Sequence, residues 1–311
     1  MSLAQAYWAV APGQGELRVE PAASTRLTML YSGISRGTET LVARGLVPED
    51  QWPVMRCPHQ AGDFPFPVKY GYQAVATDGT DNFFALFPHQ THFDLPPDQL
   101  HLIPADVPPK RAILAANMET ALNAMWDAQV GPGDRLAVIG AGVVGALVVY
   151  LAARMPGCEV TLCDVIPERA QLAASLGCRF AAIPDDGMDL VFHTSATAAG
   201  LQAGVDALGI EGRLIELSWY GQGQVPVGLG GNFHSRRLTI QASQVGQVAA
   251  NRRPRWDYRR RLGKALALLA DPVLDTLIDR EVAFADLPEH MAALAAGKRP
   301  GLCTAVVYDQ K

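Results

Sequence analysis

At 311 residues the chain is longer than a typical single domain, so about two are expected. Hydrophobic residues make up 49% and charged residues 18%, which fits a well-packed globular protein and excludes a disordered one. A net charge of −5 argues against general nucleic-acid binding, and no apolar run approaches the length of a membrane span. The opening residues, 1–15, lack the basic and apolar stretches of a signal peptide. The five cysteines (Cys57, Cys158, Cys163, Cys178, Cys303) contain no Cys-x-x-Cys pair, so neither a disulfide framework nor a four-cysteine zinc lobe is expected. A cytoplasmic protein of enzyme size is the expectation.

The first third is rich in Pro, Gly and β-formers, with strands predicted at 26–31 and 83–87 and prolines too dense for long helices. From 110 to 130, Ala112, Leu114, Ala115, Met118, Ala121, Leu122 and Met125 recur at helical spacing, ending at Gly131-Pro132-Gly133-Asp134. Beyond 135, strand and helix alternate. Strands are predicted at 136–139, 159–163, 189–193, 213–217 and 238–242, and helices at 143–154, 167–176 and 201–208. This order implies a parallel, doubly wound sheet in an α/β chain. A basic helix at 258–269, an acidic helix at 284–296 and a strand at 304–308 close the sequence. The expected division is a β-rich domain from 1–115 and 252–311, and a nucleotide-binding domain from 116–251.

Gly140-Ala-Gly142-Val143-Val144-Gly145 is a Gly-x-Gly-x-x-Gly that follows a strand and opens a helix. The first glycine permits the turn, the second lets a pyrophosphate approach the backbone, and the third allows close helix–strand packing. Asp164 ends the second strand near the spacing expected of a ribose-binding carboxylate. Its charge accepts a ribose 2′-hydroxyl and repels a 2′-phosphate, so NAD(H) is favoured over NADP(H); Arg169, a turn further on, softens that preference.

Together these residues resemble the medium-chain dehydrogenase/reductase superfamily, the relatives of zinc alcohol dehydrogenase. Within it, Ser32-Gly-Ile-Ser35-Arg36-Gly-Thr-Glu39 and Val68-Lys-Tyr-Gly-Tyr72-Gln73 look most like 3-hydroxyethyl bacteriochlorophyllide dehydrogenase and its zinc-lacking kin. The resemblance implies a GroES-like catalytic domain beside a Rossmann domain, hydride transfer with a nicotinamide cofactor, and a homodimer formed through the sheet edge at 238–242. The family's zinc-binding cysteine in Gly-Ile-Cys matches Ser35, its Gly-His-Glu histidine matches Tyr72, and its third ligand falls at about Ala116. Serine, tyrosine and alanine cannot rebuild a site that needs thiolate and imidazole, so no metal is expected.

On this resemblance Tyr72 and Ser35 occupy the vacated ligand positions. Tyr72 either acts as general acid/base, with Lys69 lowering its pKa, or fills the empty cavity. Glu39 and Thr38 fall in the region of the family's proton-relay hydroxyl, and Asn117 and Glu119 are expected to line the substrate pocket. Thr120 matches a threonine beside the nicotinamide, and Arg36 an arginine that reaches the pyrophosphate. Thr194, Ser195, Ser218 and Trp219 follow sheet strands on the ligand side, and Ser243 and Gln244 follow the last strand; helix N-capping is the alternative for each serine. His89 and His92 are read as turn-stabilising or exposed; His193 and His234 are candidates for polar roles. The arginine run at 252, 253, 255, 259, 260 and 261, with Trp256 and Tyr258, is either a solvated helix start or an anion site, nucleic acid being the least favoured ligand. The primary reading is a zinc-independent NAD(H)-dependent dehydrogenase of a secondary alcohol or ketone. An enoyl or quinone reductase and a non-catalytic nucleotide-binding scaffold are the rivals.

Overall fold

A computed structural model describes residues 2–22, 24–298 and 300–309. The chain divides into two compact units, Met1–Ala116 with Leu262–Lys311, and Asn117–Arg261. The return to the first unit falls at Leu262, ten residues beyond the 252 read from sequence.

In the first unit a long hairpin, Ser2–Ala11 with Gln14–Ala22, turns at Gly13, whose φ of +68° favours glycine. It packs with Val68–Lys69 in a small antiparallel sheet. A second, larger sheet runs in the order Ile278–Ala283, Cys303–Val307, Leu27–Ile34, Ala74–Thr77, Asn82–Ala85, His101–Leu102. The C-terminal strand thus inserts beside a strand from the start of the chain. Tyr7, Leu27, Met29, Ile34, Phe93, Leu287, Met291 and Val306 form the core between these sheets and the helix Leu287–Ala295. The short helix Arg36–Ala43 was not read from the sequence. Only Val42, Ala43 and Glu39 of it are buried, which leaves no clear apolar period.

The single helix expected over 110–130 is two, Pro109–Ala112 and Ala115–Ala128. The first turn is fixed by Arg111, whose buried guanidinium clasps Asp275 and the carbonyls of Leu269 and Ala270. Propensity does not report such an anchor.

The second unit is a parallel sheet of, among the described residues, six strands. Their spatial order is Arg179–Ala181, Glu159–Cys163, Arg135–Ile139, Met188–His193, Leu208–Glu216, Thr239–Ala242. Numbered within the unit this is 3-2-1-4-5-6, the Rossmann order, and its switch point lies between Arg135–Ile139 and Met188–His193. The third strand is too short to have been read from the sequence. Helix Val143–Ala152 is buried along Ala146, Leu147, Val148, Val149 and Tyr150, as its nearly all-round apolar character predicts.

Candidate functional site

The glycine turn lies at the switch point, where a doubly wound sheet opens a crevice at the carboxyl ends of its strands. Its three glycines have separate reasons to be there. Gly140 has a φ of +108°, and a Cβ on it would stand 2.8 Å from the Ser195 nitrogen. A Cβ on Gly145 would collide with the Gly140 carbonyl oxygen. Both are demanded by the chain's own packing. Gly142 is not: its φ of −78° suits any residue, and a Cβ there would meet nothing within 4 Å. Open space stands over the first turn of helix Val143–Ala152, whose leading N–H groups have no intrahelical acceptors. Val143 and Val144 are half-buried and Gly142 is exposed. The donors of this first turn and the open space over it fit an anion such as a dinucleotide pyrophosphate.

Asp164 sits beside that turn. One carboxylate oxygen accepts the Ala141 N–H at 2.7 Å and the other the Ile166 N–H at 2.9 Å. Arg169 lies half-buried at the start of helix Arg169–Leu176. Across the switch point, Thr194 donates its hydroxyl to the Gly140 carbonyl at 2.9 Å, locking the turn to the fourth strand. Ser195 Oγ lies 2.7 Å from His193 Nε2, and Ser218 Oγ accepts the Ala196 N–H at 3.1 Å. Ser243 donates to Asp127 at 2.7 Å. The N-cap in this region is Thr197, which accepts the Gly200 N–H, so the four hydroxyls named from the sequence do other work. On helix Ala115–Ala128, Asn117 is buried and Thr120 half-buried.

Two expectations for this unit need correction. Glu119 does not face a pocket; it is buried against Arg261, with Nε to carboxylate at 3.0 Å. Arg261 itself is 1% exposed, so the basic run is not all surface. Arg260 covers the Trp256 ring at 4.0 Å, and Arg253 donates to the Val248 carbonyl. His234 is exposed, whereas His193 is fully buried.

In the first unit the sequence-named Ser35, Glu39 and Tyr72 come together. Glu39 is 3% exposed, yet its carboxylate accepts the Ser35 N–H at 2.7 Å and pairs with His89 Nε2 at 2.8 Å. His89 Nδ1 meets Ser32 Oγ at 2.7 Å, and Ser32 meets the Tyr308 hydroxyl at 2.9 Å. His89 is therefore a buried partner of a carboxylate, where the sequence suggested a turn or surface residue. His92 is half-buried against Thr91. Tyr72 is half-buried and hydrogen-bonded to the Ser35 and Thr38 side chains. Burial, reinforced by the Glu39 charge, pushes its phenol up to about 12 despite those bonds. Lys69 gives no help. It is paired with Glu20 and donates to Gln90 at 2.7 Å. Tyr72 is a phenol held in its protonated form. Arg36 opens helix Arg36–Ala43 and donates to the Gly301 carbonyl at 2.7 Å.

His89, Ser32 and Tyr308 were missed because their partners lie 50, 57 and 276 residues away along the chain. No local period marks such contacts.

The architecture is the GroES-like plus Rossmann arrangement of the medium-chain dehydrogenases. L-idonate 5-dehydrogenase from Escherichia coli K-12 superposes with a TM-score of 0.78 over 98% of each chain, at 13% identity. An Escherichia coli CFT073 alcohol dehydrogenase solved with NADH gives 0.72 over 99% of this chain and all of its own, at 15% identity. Neighbouring folds have been solved with NADP as well as with NADH. Among curated proteins, D-guloside 3-dehydrogenase of Escherichia coli K12 is 26% identical over 196 residues, 58% of this chain. The match takes in 56% of that relative's length, a little over half of it. No protein-family model matches the chain. At these identities the structural likenesses establish the fold alone. Among the described residues no helix is long and apolar enough to cross a membrane.

Proposed function

We propose that the chain is a zinc-independent, NAD(H)-dependent oxidoreductase that moves a hydride between nicotinamide and a secondary alcohol or ketone of carbohydrate type. The observation that carries this reading is the open space at Gly142, where no described residue of the protein requires glycine and a pyrophosphate does. Asp164 beside the turn, followed by Val165, Ile166, Pro167 and Glu168 without a cation, supports NAD(H) over NADP(H). D-guloside 3-dehydrogenase and L-idonate 5-dehydrogenase are both named for carbohydrate-derived substrates, which supports that class over the macrocycle suggested by the bacteriochlorophyllide enzyme. Serine, tyrosine and alanine at the positions matched to zinc ligands support chemistry without the metal.

Bound nicotinamide supplies or accepts the hydride. The chain's own task is the proton. Tyr72 donates its hydroxyl to the substrate oxygen, oriented by Ser35 and Thr38, and protonates the alkoxide as it forms. An alkoxide is a stronger base than phenolate, so this transfer runs downhill. The reverse step needs a phenolate beside buried Glu39, which the raised phenol pKa disfavours at neutral pH. Ketone reduction is therefore the favoured direction near pH 7, and alcohol oxidation accelerates as the pH climbs towards the Tyr72 pKa of about 12. The same reading pairs two chains through the edge strand Thr239–Ala242.

NADH fluorescence titration followed by NADH oxidation with ketoses, enones and quinones tests the assignment. Saturable binding and turnover of a ketose are expected, with Tyr72→Phe slowing reduction by about 100-fold while leaving NADH affinity intact. Turnover of enones or quinones but not ketones transfers the chain to the reductase class. Stoichiometric zinc whose removal abolishes activity defeats the metal-free mechanism.

A further inference from the structure

The buried histidine behind the crevice has no part in hydride chemistry as described above, and both its ring nitrogens have side-chain partners. His193 ends the fourth strand and is 0% exposed. Its Nδ1 faces the Glu216 carboxylate at 2.8 and 3.0 Å, and its Nε2 faces Ser195 Oγ at 2.7 Å. Glu216 also accepts the Ser218 N–H at 2.7 Å and the Tyr220 hydroxyl at 3.0 Å. Burial opposes its charge, but the bonds from His193 and Ser218 hold its carboxyl below the usual range, so it is an ionised acceptor. Its partners must all donate.

When the ring carries a single hydrogen, the Glu216 carboxylate draws it to Nδ1, and Nε2 then has a lone pair for the Ser195 hydroxyl hydrogen. Thr197 Oγ1 lies 2.9 Å from Ser195 Oγ, and with the one Ser195 hydrogen directed at Nε2 it is Thr197 that donates across this contact. Ser195 has then lost its only hydrogen inwards and keeps a lone pair for whatever approaches. The seat is held firmly. Ala196 has a φ of +53°, a conformation that L-residues seldom adopt, and its N–H is pinned by Ser218 Oγ. A Cβ on Gly140 would meet the Ser195 nitrogen and Cα, so Ser195 borders the pyrophosphate turn. His193 is sealed from ligand and Ser195 is half exposed.

We propose that Glu216 and His193 are positioning residues that lock the Ser195 hydroxyl as a hydrogen-bond acceptor towards the crevice, so that this point selects a ribose hydroxyl and rejects a phosphate oxygen. The inference rests on the dinucleotide reading of the same unit and adds to it a donor/acceptor rule at one atom.

Glu216→Gln tests it with little change of shape. The Ser218 N–H keeps the carboxamide oxygen on its side, which turns the amide NH2 towards Nδ1 and forces the ring into the Nε2–H tautomer. Ser195 then receives a hydrogen from His193 and loses its acceptor role. In full-length protein, NADH affinity is expected to fall about tenfold in Glu216→Gln and in Ser195→Ala, with no further loss in the double variant. The wild-type chain is expected to bind one NADH analogue with a ribose hydroxyl replaced by hydrogen about tenfold more weakly than NADH, and Ser195→Ala to bind the two equally. Nitrogen-15 histidine spectra are expected to show His193 as the Nδ1–H tautomer in the wild type and Nε2–H in Glu216→Gln, a readout that needs no ligand. A wild-type Nε2–H ring, or variants that bind NADH and its analogues as the wild type does, overturns this inference alone. A wild-type chain that does not bind NADH overturns the dinucleotide reading and this inference with it. Should Glu216→Gln misfold, Ser195→Ala and the wild-type spectrum still decide.

Discussion

At the scale of single residues, the decisive contrast is among three glycines that look alike in the sequence. Gly140 and Gly145 are held by internal contacts; a side chain on Gly142 would meet nothing within 4 Å. Gly142→Ala should therefore leave stability within about 0.5 kcal/mol of the wild type while NADH binding weakens on the order of tenfold or more. Gly145→Ala should instead cost about 1–3 kcal/mol, because its Cβ drives into the Gly140 carbonyl. Urea melts alongside fluorescence titrations separate the two outcomes, and equal effects on both properties would refute the proposed pyrophosphate site. Asp164 supplies a second residue-level test. Its carboxylate takes the Ala141 and Ile166 N–H groups and sits beside the turn. Asp164→Asn keeps an acceptor for one of those bonds but removes the charge that, on the proposed reading, repels a 2′-phosphate. The ratio of NADPH to NADH affinity is expected to rise about tenfold, the scale of one unit charge at a surface site. An unchanged ratio moves cofactor choice elsewhere.

At the scale of elements, the second unit depends on how its first helix is joined to the segment after the last strand. Arg261 donates to Glu119 and to Asn123 on helix Ala115–Ala128, and to the backbone carbonyls of Val245 and Gln247. One guanidinium thus fastens three stretches of chain, in a place where both members of the ion pair are nearly free of solvent. Arg261→Ala leaves Glu119 buried without a partner, and burial already raises that carboxyl. A loss of about 3–5 kcal/mol is expected, with much of it recovered when Glu119→Gln is added, because the uncompensated charge is then gone. Chemical denaturation of the single and double variants checks this. In the sequence this residue was one of six arginines crowded into ten positions, and composition alone gave each the same surface reading. What distinguishes Arg261 is a set of acceptors up to 142 residues away.

At the scale of the whole molecule, buried acids dominate the response to alkali. Tyr72 is pushed up to about 12, and Tyr7, Tyr70 and Tyr308 also lie above the ordinary tyrosine value. Burial likewise raises Cys57, Cys163 and Cys303 to about 12. In each case the folded chain keeps a proton that the unfolded chain gives up sooner. Between the unfolded values of 9.0 and 10.0 and the folded values near 12, the native state therefore binds more protons and stability falls as pH rises. The contribution is complete below pH 9, and the urea midpoint is expected to drop between pH 9 and pH 12. A midpoint flat to pH 12 would show these groups to be open to water.

The α/β order, the glycine turn, Asp164 and the helix behind the turn were legible in the sequence because each is local: a period, a spacing or a breaker within one strand–turn–helix. So were the serine at position 35 and the tyrosine at position 72, which are matters of residue identity. Tertiary structure decided the rest. It joined Glu39 to His89 and His193 to Glu216, split the helix at Ile113, gave Lys69 to Glu20, and buried Arg261. A polar side chain's role is set by which distant group satisfies it once water is removed, and that partner is chosen by packing rather than by sequence neighbours.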